Sequence, residues 1–108
     1  MLNNLGFVTI NGKECNVISV FDHGLLYGDG VYETVKVLDN KALFFEDHLD
    51  RLFSSAKAIS LKIPYSKKEI IKLIKQTCKI INLKDAFIRI LITRGIGEQG
   101  LISNSKPN

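Results

Sequence analysis

The sequence predicts an α+β fold, a two-layer sandwich in which a mainly antiparallel sheet of about five or six strands packs against two helices on one face. The first supporting observation is a pair of turn signals, Asn11-Gly12 and Asp39-Asn40, each between short segments with strand character. The second is a pair of longer segments, near residues 47–60 and 66–81, with apolar residues at helical spacing. Tight turns join antiparallel strands, and each amphipathic helix needs an apolar surface to cover.

The first hairpin is predicted around Asn11-Gly12, the strongest short-range hairpin signal in the chain. Residues 7–10 alternate before the turn, and residues 14–18 are expected to return as the second strand. Residues 19–29 are interrupted by glycines, so we expect a turn there with room for one helical turn.

The second hairpin is predicted to join residues 31–38 to residues 42–44 through Asp39-Asn40-Lys41. The alternation in residues 31–38 is typical of a strand whose two faces meet different surroundings. One face carries Val31, Glu33, Val35 and Val37, and the other carries Tyr32, Thr34, Lys36 and Leu38. Residues 86–93 form a further β-rich segment.

Two helices are predicted. The first spans about residues 47–60, and Arg51 lies off its apolar stripe, in line with His48 and Ser55. That stripe consists of Leu49, Leu52, Phe53, Ala56 and Ile59. The second helix begins at a capping box, Ser66-x-x-Glu69, in which each side chain binds the other residue's backbone. Its buried face is expected to hold Ile70, Ile74, Thr77, Cys78 and Ile81.

The composition indicates one domain of an ordinary soluble protein: 108 residues, of which 45% are hydrophobic and 24% charged. Much of the net charge of +4 comes from lysines along the second helix, which we interpret as a solvated face rather than a nucleic-acid surface. With no apolar run of about eighteen residues and no secretory signal pattern, a cytoplasmic protein is expected. Cys15, Cys78, His23 and His48 lack metal-ligand spacing, so no metal site is expected.

Two segments carry a family resemblance: residues 21–37, F-D-H-G-L-L-Y-G-D-G-V-Y-E-T-V-K-V, and residues 46–57, E-D-H-L-D-R-L-F-S-S-A-K. Together they closely resemble the N-terminal half of the fold-type IV, or class IV, pyridoxal-phosphate-dependent aminotransferase family. That family includes branched-chain and D-amino-acid aminotransferases and aminodeoxychorismate lyase. The resemblance implies pyridoxal 5′-phosphate as cofactor, small-molecule substrates, and a homodimer without nucleic-acid or membrane partners.

The same resemblance implies how the chain is divided. Residues 1–102 match the small N-terminal domain, and residues 103–108 match the start of the interdomain linker. The lysine that forms the Schiff base lies, in that family, well beyond the length of this chain. We therefore expect no catalytic residue within these 108 residues, and no activity from them alone.

Arg51 is the predicted cofactor-binding residue. The family pattern E-H-[ILM]-x-R-L-x-x-S-A, with Asp47 as one additional acidic residue here, aligns Arg51 with the arginine that contacts the cofactor phosphate. Arginine suits that role because its planar, permanently charged fork matches a phosphate dianion. Without the resemblance, a lone helical arginine is interpreted as a surface charge. A second candidate, Arg94-Gly95-Ile96-Gly97, follows a strand without opening a helix and is weak as a nucleotide motif.

The resemblance also implies a substrate-binding set on one strand face and on the last strand. Its members are Tyr32, Thr34, Lys36, Phe87 and Arg89, with Tyr27 reaching into the partner subunit's active site. From the residues alone, plain amphipathicity also explains the strand alternation, and a turn tyrosine can simply pack locally. Arg89 interrupts an apolar strand, so it should face either solvent or an anion.

Three positions bear on the substrate. Arg89 matches an arginine of the branched-chain enzymes, whereas Thr34 stands where those enzymes usually carry glycine and the lyases often carry threonine. The loop of residues 96–101 lacks the Arg-x-His pair of the D-specific enzymes. The leading hypothesis is transfer of an amino group between a branched-chain-like L-amino acid and a 2-oxo acid. The alternatives are an aminodeoxychorismate lyase of folate biosynthesis and, in another class, a non-catalytic ligand-binding or dimerisation module.

Overall fold

A computed structural model describes residues 2–3, 6–80 and 84–97. They fall into two compact units. Met1–Ile18 and Tyr65–Leu83 form what we call the hairpin–helix unit, and Ser19–Pro64 and Lys84–Asn108 form the sheet unit. The elements in chain order are β1 (Leu2–Asn3), β2 (Gly6–Phe7), β3 (Thr9–Ile10), β4 (Lys13–Glu14), α1 (His23–Tyr27), β5 (Gly30–Leu38), β6 (Lys41–Ala42), α2 (Phe45–Ala58), α3 (Lys67–Ile80) and β7 (Ala86–Thr93). None of the described helices combines the length and the apolar character needed to cross a membrane.

The α+β class and the antiparallel pairing predicted from the sequence are confirmed. The arrangement of the strands differs from the single sheet of five or six that we expected. The described pairings give one three-stranded sheet, β6–β5–β7, and two separate pairs, β1–β2 and β3–β4. The two long helices are divided as well, because α2 packs on β5 whereas α3 belongs to the hairpin–helix unit.

In the hairpin–helix unit, the turn between β3 and β4 is Asn11-Gly12, and φ is 52° and 83° at these two residues. Such a turn requires residues that tolerate the left-handed region, which explains the strength of this signal. The returning strand is shorter than predicted, because β4 ends at Glu14 rather than at Ile18. Only two residues of β3 are available for pairing, and one further bond, from Cys15 N to Val8 O at 3.3 Å, follows the ladder.

Helix α3 begins with the predicted capping box. Ser66 Oγ accepts a hydrogen bond from Glu69 N at 3.1 Å, and Glu69 Oε1 accepts one from Ser66 N at 2.8 Å. The bond from Ser66 N, with a smaller contribution from the Ser66 side chain, favours the ionised carboxylate and holds the pKa of Glu69 below its ordinary value. Of the face predicted to be buried, Ile70 is buried and Ile81 lies outside the described residues. The other three residues are half-buried: Ile74, Thr77 and Cys78.

β5 is the central strand of the sheet unit, and its two faces are those predicted. The inward positions are buried and the outward positions are exposed. On α2, the side chains of Leu49, Leu52 and Ala56 are buried, and this helix packs on β5. The packing decides which β5 side chains meet α2 and which remain available on the outer face of the sheet.

The β5–β6 hairpin turns at Asp39 and Asn40, where φ is 54° and 66°, as the turn signal predicted. β6 ends at Ala42 rather than at residue 44, and α2 spans Phe45–Ala58 rather than residues 47–60. Phe44 has a φ of 55° and occupies the N-cap position, so the strand stops where the chain turns into the helix. The shift leaves most of the predicted helical stripe in register, since Leu49, Leu52 and Ala56 are buried. Ile59, predicted for the same stripe, is the C-cap residue and is exposed.

Candidate functional site

A buried carboxylate organises the contact between β5 and α2. Glu33 lies on the inward face of β5 and is only 5% exposed. Arg51 donates from Nε to Glu33 Oε2 and from Nη2 to Glu33 Oε1, both at 2.8 Å, in a bidentate ion pair. His48, three residues before Arg51 on α2, has its Nδ1 2.6 Å from Glu33 Oε1. We call these three residues the Glu33 cluster.

The carboxyl group of Glu33 is ionised at neutral pH. Its pKa falls from 4.5 to about 2, mainly because of the Arg51 hydrogen bonds; burial opposes this shift, and the His48 hydrogen bond and the charges of both partners add to it. The same pair raises the pKa of Arg51. Because an ionised carboxylate can only accept hydrogen bonds, Nδ1 of His48 is the donor in its contact with Glu33.

Arg51 keeps one edge of its guanidinium group unused. Nε and Nη2 bind Glu33, while Nη1 makes no hydrogen bond within residues 2–3, 6–80 and 84–97. The Arg51 side chain is 68% exposed, in contrast to its buried partner. A guanidinium fixed on one edge and open to solvent on the other can bind a further anion with its remaining N–H groups.

The outer face of the sheet gathers five of the residues predicted to bind substrate. In the β5–β7 ladder Thr34 is opposite Arg89 and Lys36 is opposite Phe87. Arg89 Cζ lies 4.5 Å from the centroid of the Tyr32 ring, and Lys36 Nζ lies 5.8 Å from that of Phe87. All five are exposed, so Arg89 faces solvent, one of the two surroundings expected for it. The result is a surface of two aromatic rings, two cations and two hydroxyl groups, those of Tyr32 and Thr34.

Arg51 does not belong to this outer face, because α2 packs on the inward face of β5. The two surfaces are separated by the thickness of the sheet. β6 pairs only with Val37 and Leu38, so the described strands leave residues 30–35 of β5 without a ladder partner on that edge. β7 pairs with the other edge from Gly30 to Val37.

Tyr27 is the last residue of α1 and packs beside a buried histidine. Gly28, with φ at 64°, ends this short helix in the left-handed conformation. The Tyr27 ring meets the ring of His23 edge-on at a centroid distance of 5.1 Å. His23 is fully buried, and neither of its ring nitrogens has a hydrogen-bond partner among the described residues. Tyr27 itself is 38% exposed, so it lies at the surface of the sheet unit.

Arg94 forms a second ion pair, which the sequence analysis missed. Its Nε and Nη2 bind the two carboxylate oxygens of Asp29 at 2.6 and 3.1 Å. Nη2 also donates to Ile59 O at 2.8 Å, and Nη1 donates to Ser60 O at 3.2 Å. Arg94 is buried, so the arginine of the weak motif Arg94-Gly95-Ile96-Gly97 binds groups of the chain itself.

Glu33 and Asp29 were missed for different reasons. Glu33 stands between valines on the face predicted to be buried, and a carboxylate there requires a partner, so the signal was present. Asp29 and Arg94 are 65 residues apart, with no periodicity linking them. Residues 98–101 and the expected boundary at residues 102–103 lie outside the described residues. Within the described part of the chain, no three His, Cys, Asp or Glu side chains are grouped to hold a metal ion.

The family model described as amino-transferase class IV matches residues 30–108 of this sequence. The chain belongs to this family. The match covers β5, α2 and β7, the elements that carry the Glu33 cluster and the outer face. It agrees with the resemblance seen in the two sequence motifs.

Three curated relatives illustrate the range of names in the family. A Methanocaldococcus jannaschii protein, provisionally named a branched-chain-amino-acid aminotransferase, is 48% identical over 87% of this chain and 34% of its own length. A D-alanine aminotransferase of Listeria monocytogenes is 36% identical over 78% of this chain and 29% of its own. The aminodeoxychorismate lyase of Bacillus subtilis is 33% identical over 91% and 36%. The chain thus spans about a third of the length of the curated relatives it matches.

Solved structures show the same likeness. The branched-chain amino acid aminotransferase from Escherichia coli has a TM-score of 0.77 at 26% identity, covering 84% of this chain and 33% of that one. A second branched-chain amino acid aminotransferase, from T.th., is complexed with N-(5′-phosphopyridoxyl)-L-glutamate. It has a TM-score of 0.70 at 26% identity, covering 82% of this chain and 33% of that one.

Proposed function

We propose that this chain is the N-terminal part of a pyridoxal-phosphate-dependent aminotransferase, with a small domain in residues 1–102 and a linker from residue 103. The reaction is transfer of an amino group between a branched-chain-like L-amino acid and a 2-oxo acid. One observation carries the proposal: Glu33 fixes one edge of the Arg51 guanidinium, and the other edge is exposed. The family match and the M. jannaschii relative support the activity. The phosphopyridoxyl ligand of the T.th. enzyme supports the cofactor.

The cofactor supplies, when bound, the electron sink that amino transfer needs. Arg51 fits its phosphate because the open N–H groups form a charged fork, and a phosphate monoester presents oxygens that such a fork can bind. Lys36 is the lysine of the outer face, and its ammonium group lies over the Phe87 ring. We place the Schiff-base lysine outside this chain, so the chain alone is expected to be inactive.

The outer face has the chemistry of an amino-acid subsite. Arg89 offers a charged donor for a carboxylate, and the Tyr32 ring beneath it keeps the guanidinium in place from one side. Tyr32 and Phe87 provide apolar surface for an aliphatic side chain, while Thr34 and Lys36 add polar contacts beside it. We propose that the substrate lies on this face and that the cofactor phosphate lies toward Arg51, on the opposite side of the sheet.

Aminodeoxychorismate lyase is the second candidate. Thr34 favours it, because an exposed hydroxyl opposite Arg89 reduces the room for a branched side chain and adds a hydrogen-bonding group. The B. subtilis relative carries that name. Conversion of Thr34 to glycine distinguishes the two, since added space should favour branched-chain substrates over aminodeoxychorismate.

We also propose a cytoplasmic homodimer in which Tyr27 completes the site of the neighbouring subunit, without nucleic-acid or membrane partners. The support is the surface position of Tyr27 next to further exposed apolar side chains, Leu25 and Leu26, on the same helix. Sedimentation of the complete protein tests this. A fully active monomer at micromolar concentration would remove the intersubunit role of Tyr27.

The function is tested by replacing Arg51 in the complete protein. Arg51→Ala should weaken pyridoxal phosphate binding by more than about tenfold, because a charge-assisted fork is lost. Pyridoxal, which lacks the phosphate, is the matched control and should bind the wild type and the variant equally. Arg51→Lys should fall between them, since a point charge replaces the planar fork. Unchanged cofactor occupancy of Arg51→Ala after dialysis would refute the assignment.

A further inference from the structure

The packing of the sheet does not explain why a carboxylate, that of Glu33, occupies a buried position. It occupies an inward position of β5 with Val31 and Val35 on either side of it along the same face, and all three are buried. A buried carboxylate costs free energy unless it is paired and hydrogen-bonded, and an apolar residue would fill this position without that cost. The reason for the carboxylate therefore lies in the groups that it binds, Arg51 and His48.

Those groups are held more tightly than an exposed ion pair usually is. Arg51 uses two adjacent N–H groups, so its guanidinium plane is fixed in line with the carboxylate. An exposed arginine without such a partner samples many rotamers, and ordering it upon binding an anion lowers affinity. Glu33 removes that cost before the anion arrives, because Arg51 is already ordered.

His48 holds the carboxylate from a second direction. Its Nδ1 donates to the same Oε1 that receives Nη2 of Arg51, and the imidazole is largely buried. Both donors come from one helix, so the carboxylate is bound by two neighbouring positions of α2. Glu33 is thereby kept from rotating away from Arg51.

We infer that Glu33 is a positioning residue of the anion site: its buried carboxylate, held by His48, orients Arg51 so that the outer guanidinium edge faces a phosphate monoester. This inference rests on the proposed role of Arg51 and adds to it the means by which the arginine is oriented. The inferred effect of Glu33 on anion binding is opposite to the effect that its charge alone would have. A carboxylate near an anion repels it, so removing Glu33 should strengthen anion binding if charge alone mattered.

The test uses the complete protein, ¹⁵N-labelled and without added cofactor, with inorganic phosphate as the probe. Binding is followed by the Arg51 Nε–Hε signal and by the backbone amides of residues 48–55. In Glu33→Gln the Hε proton should exchange with solvent faster, and phosphate affinity should fall by about tenfold. Glu33→Asp keeps the charge but is one methylene shorter, so it should behave like the glutamine variant. Glu33→Asp also tests the inference if Glu33→Gln fails to fold.

The outcomes separate the two proposals. If phosphate shifts the same amides equally in wild type and in Arg51→Ala, Arg51 is not the anion site, and both the proposed function and this inference fail. If Arg51→Ala loses the response but Glu33→Gln binds phosphate as tightly as wild type or more tightly, only the positioning role is overturned. Wild-type affinity in Glu33→Asp would also overturn it, because charge without reach would then be sufficient.

Discussion

Two arginine–carboxylate pairs in the sheet unit have the same bidentate geometry and different surroundings. Arg94 and Asp29 are both buried, with side-chain exposures of 4% and 9%. Arg51 and Glu33 differ from each other, at 68% and 5%. Arg94 directs its donors to Asp29 and to two backbone carbonyls, whereas the described residues bind Arg51 along only one edge of its guanidinium.

The difference shows how one kind of ion pair can serve structure or binding. The Arg94 pair joins the end of β7 to the turn before β5 and to the C-terminal end of α2, three segments distant in sequence. The Arg51 pair joins only β5 and α2, which already pack through apolar side chains. We therefore expect Arg94 to matter chiefly for stability and Arg51 chiefly for anion binding.

The largest expected effect is on folding, in Arg94→Ala. This change leaves the Asp29 carboxylate buried without its partner and leaves the Ile59 and Ser60 carbonyls without a donor. Breaking a buried pair from one side costs about 3–5 kcal/mol, which urea unfolding followed by circular dichroism would measure. Arg51→Ala is the matched control and should be less destabilising, because His48 still binds Glu33. Equal losses in the two variants would remove the distinction between the pairs.

The sequence predicted more of the Arg51 pair than of the Arg94 pair. The alternation of β5 identified its inward face, and Arg51 was found through the motif of residues 46–57. The link from Glu33 to Arg51 depends on how α2 lies across β5, which no local pattern contains. Asp29 and Arg94 meet only because β7 pairs with β5 in one register, and that register is a property of the folded sheet.

The sequence also predicted the positions of the turns better than the lengths of the strands. Asn11-Gly12 and Asp39-Asn40 form the predicted turns, since turn conformation depends on the residues in the turn. The lengths of β4 and β6 were overestimated, since these strands end at Glu14 and Ala42. β6 ends although its partner β5 continues, because the chain turns at Phe44 into α2. The turn residues thus located each hairpin, whereas the length of β6 depended on the element that follows it.

The second expected effect is a pH dependence of stability that comes from Glu33. Its folded pKa of about 2 lies below the ordinary 4.5, so the unfolded chain binds the proton more readily. The stabilisation is fully present above about pH 4.5 and is lost as the pH falls toward 2. Urea midpoints of wild type and Glu33→Gln should therefore converge as the pH is lowered through this window. A difference that stays constant from about pH 6 to about pH 2 would show that Glu33 titrates normally.

The smallest expected effect is the response of the two pairs to salt. Raising the salt concentration from about 0.1 to 1 M shortens the screening length from about 10 to 3 Å, which weakens interactions between charges that solvent can reach. Double-mutant cycles of unfolding, with Arg51→Ala and Glu33→Gln in one and Arg94→Ala and Asp29→Asn in the other, give a coupling for each pair. The coupling of the Arg51 pair should fall at the higher salt concentration, since most of that arginine is exposed. The coupling of the Arg94 pair should change little, because both side chains are buried. If both couplings fell alike, solvent would reach Arg94 as well. The distinction between a buried, structural Arg94 pair and an exposed Arg51 pair would then have to be abandoned.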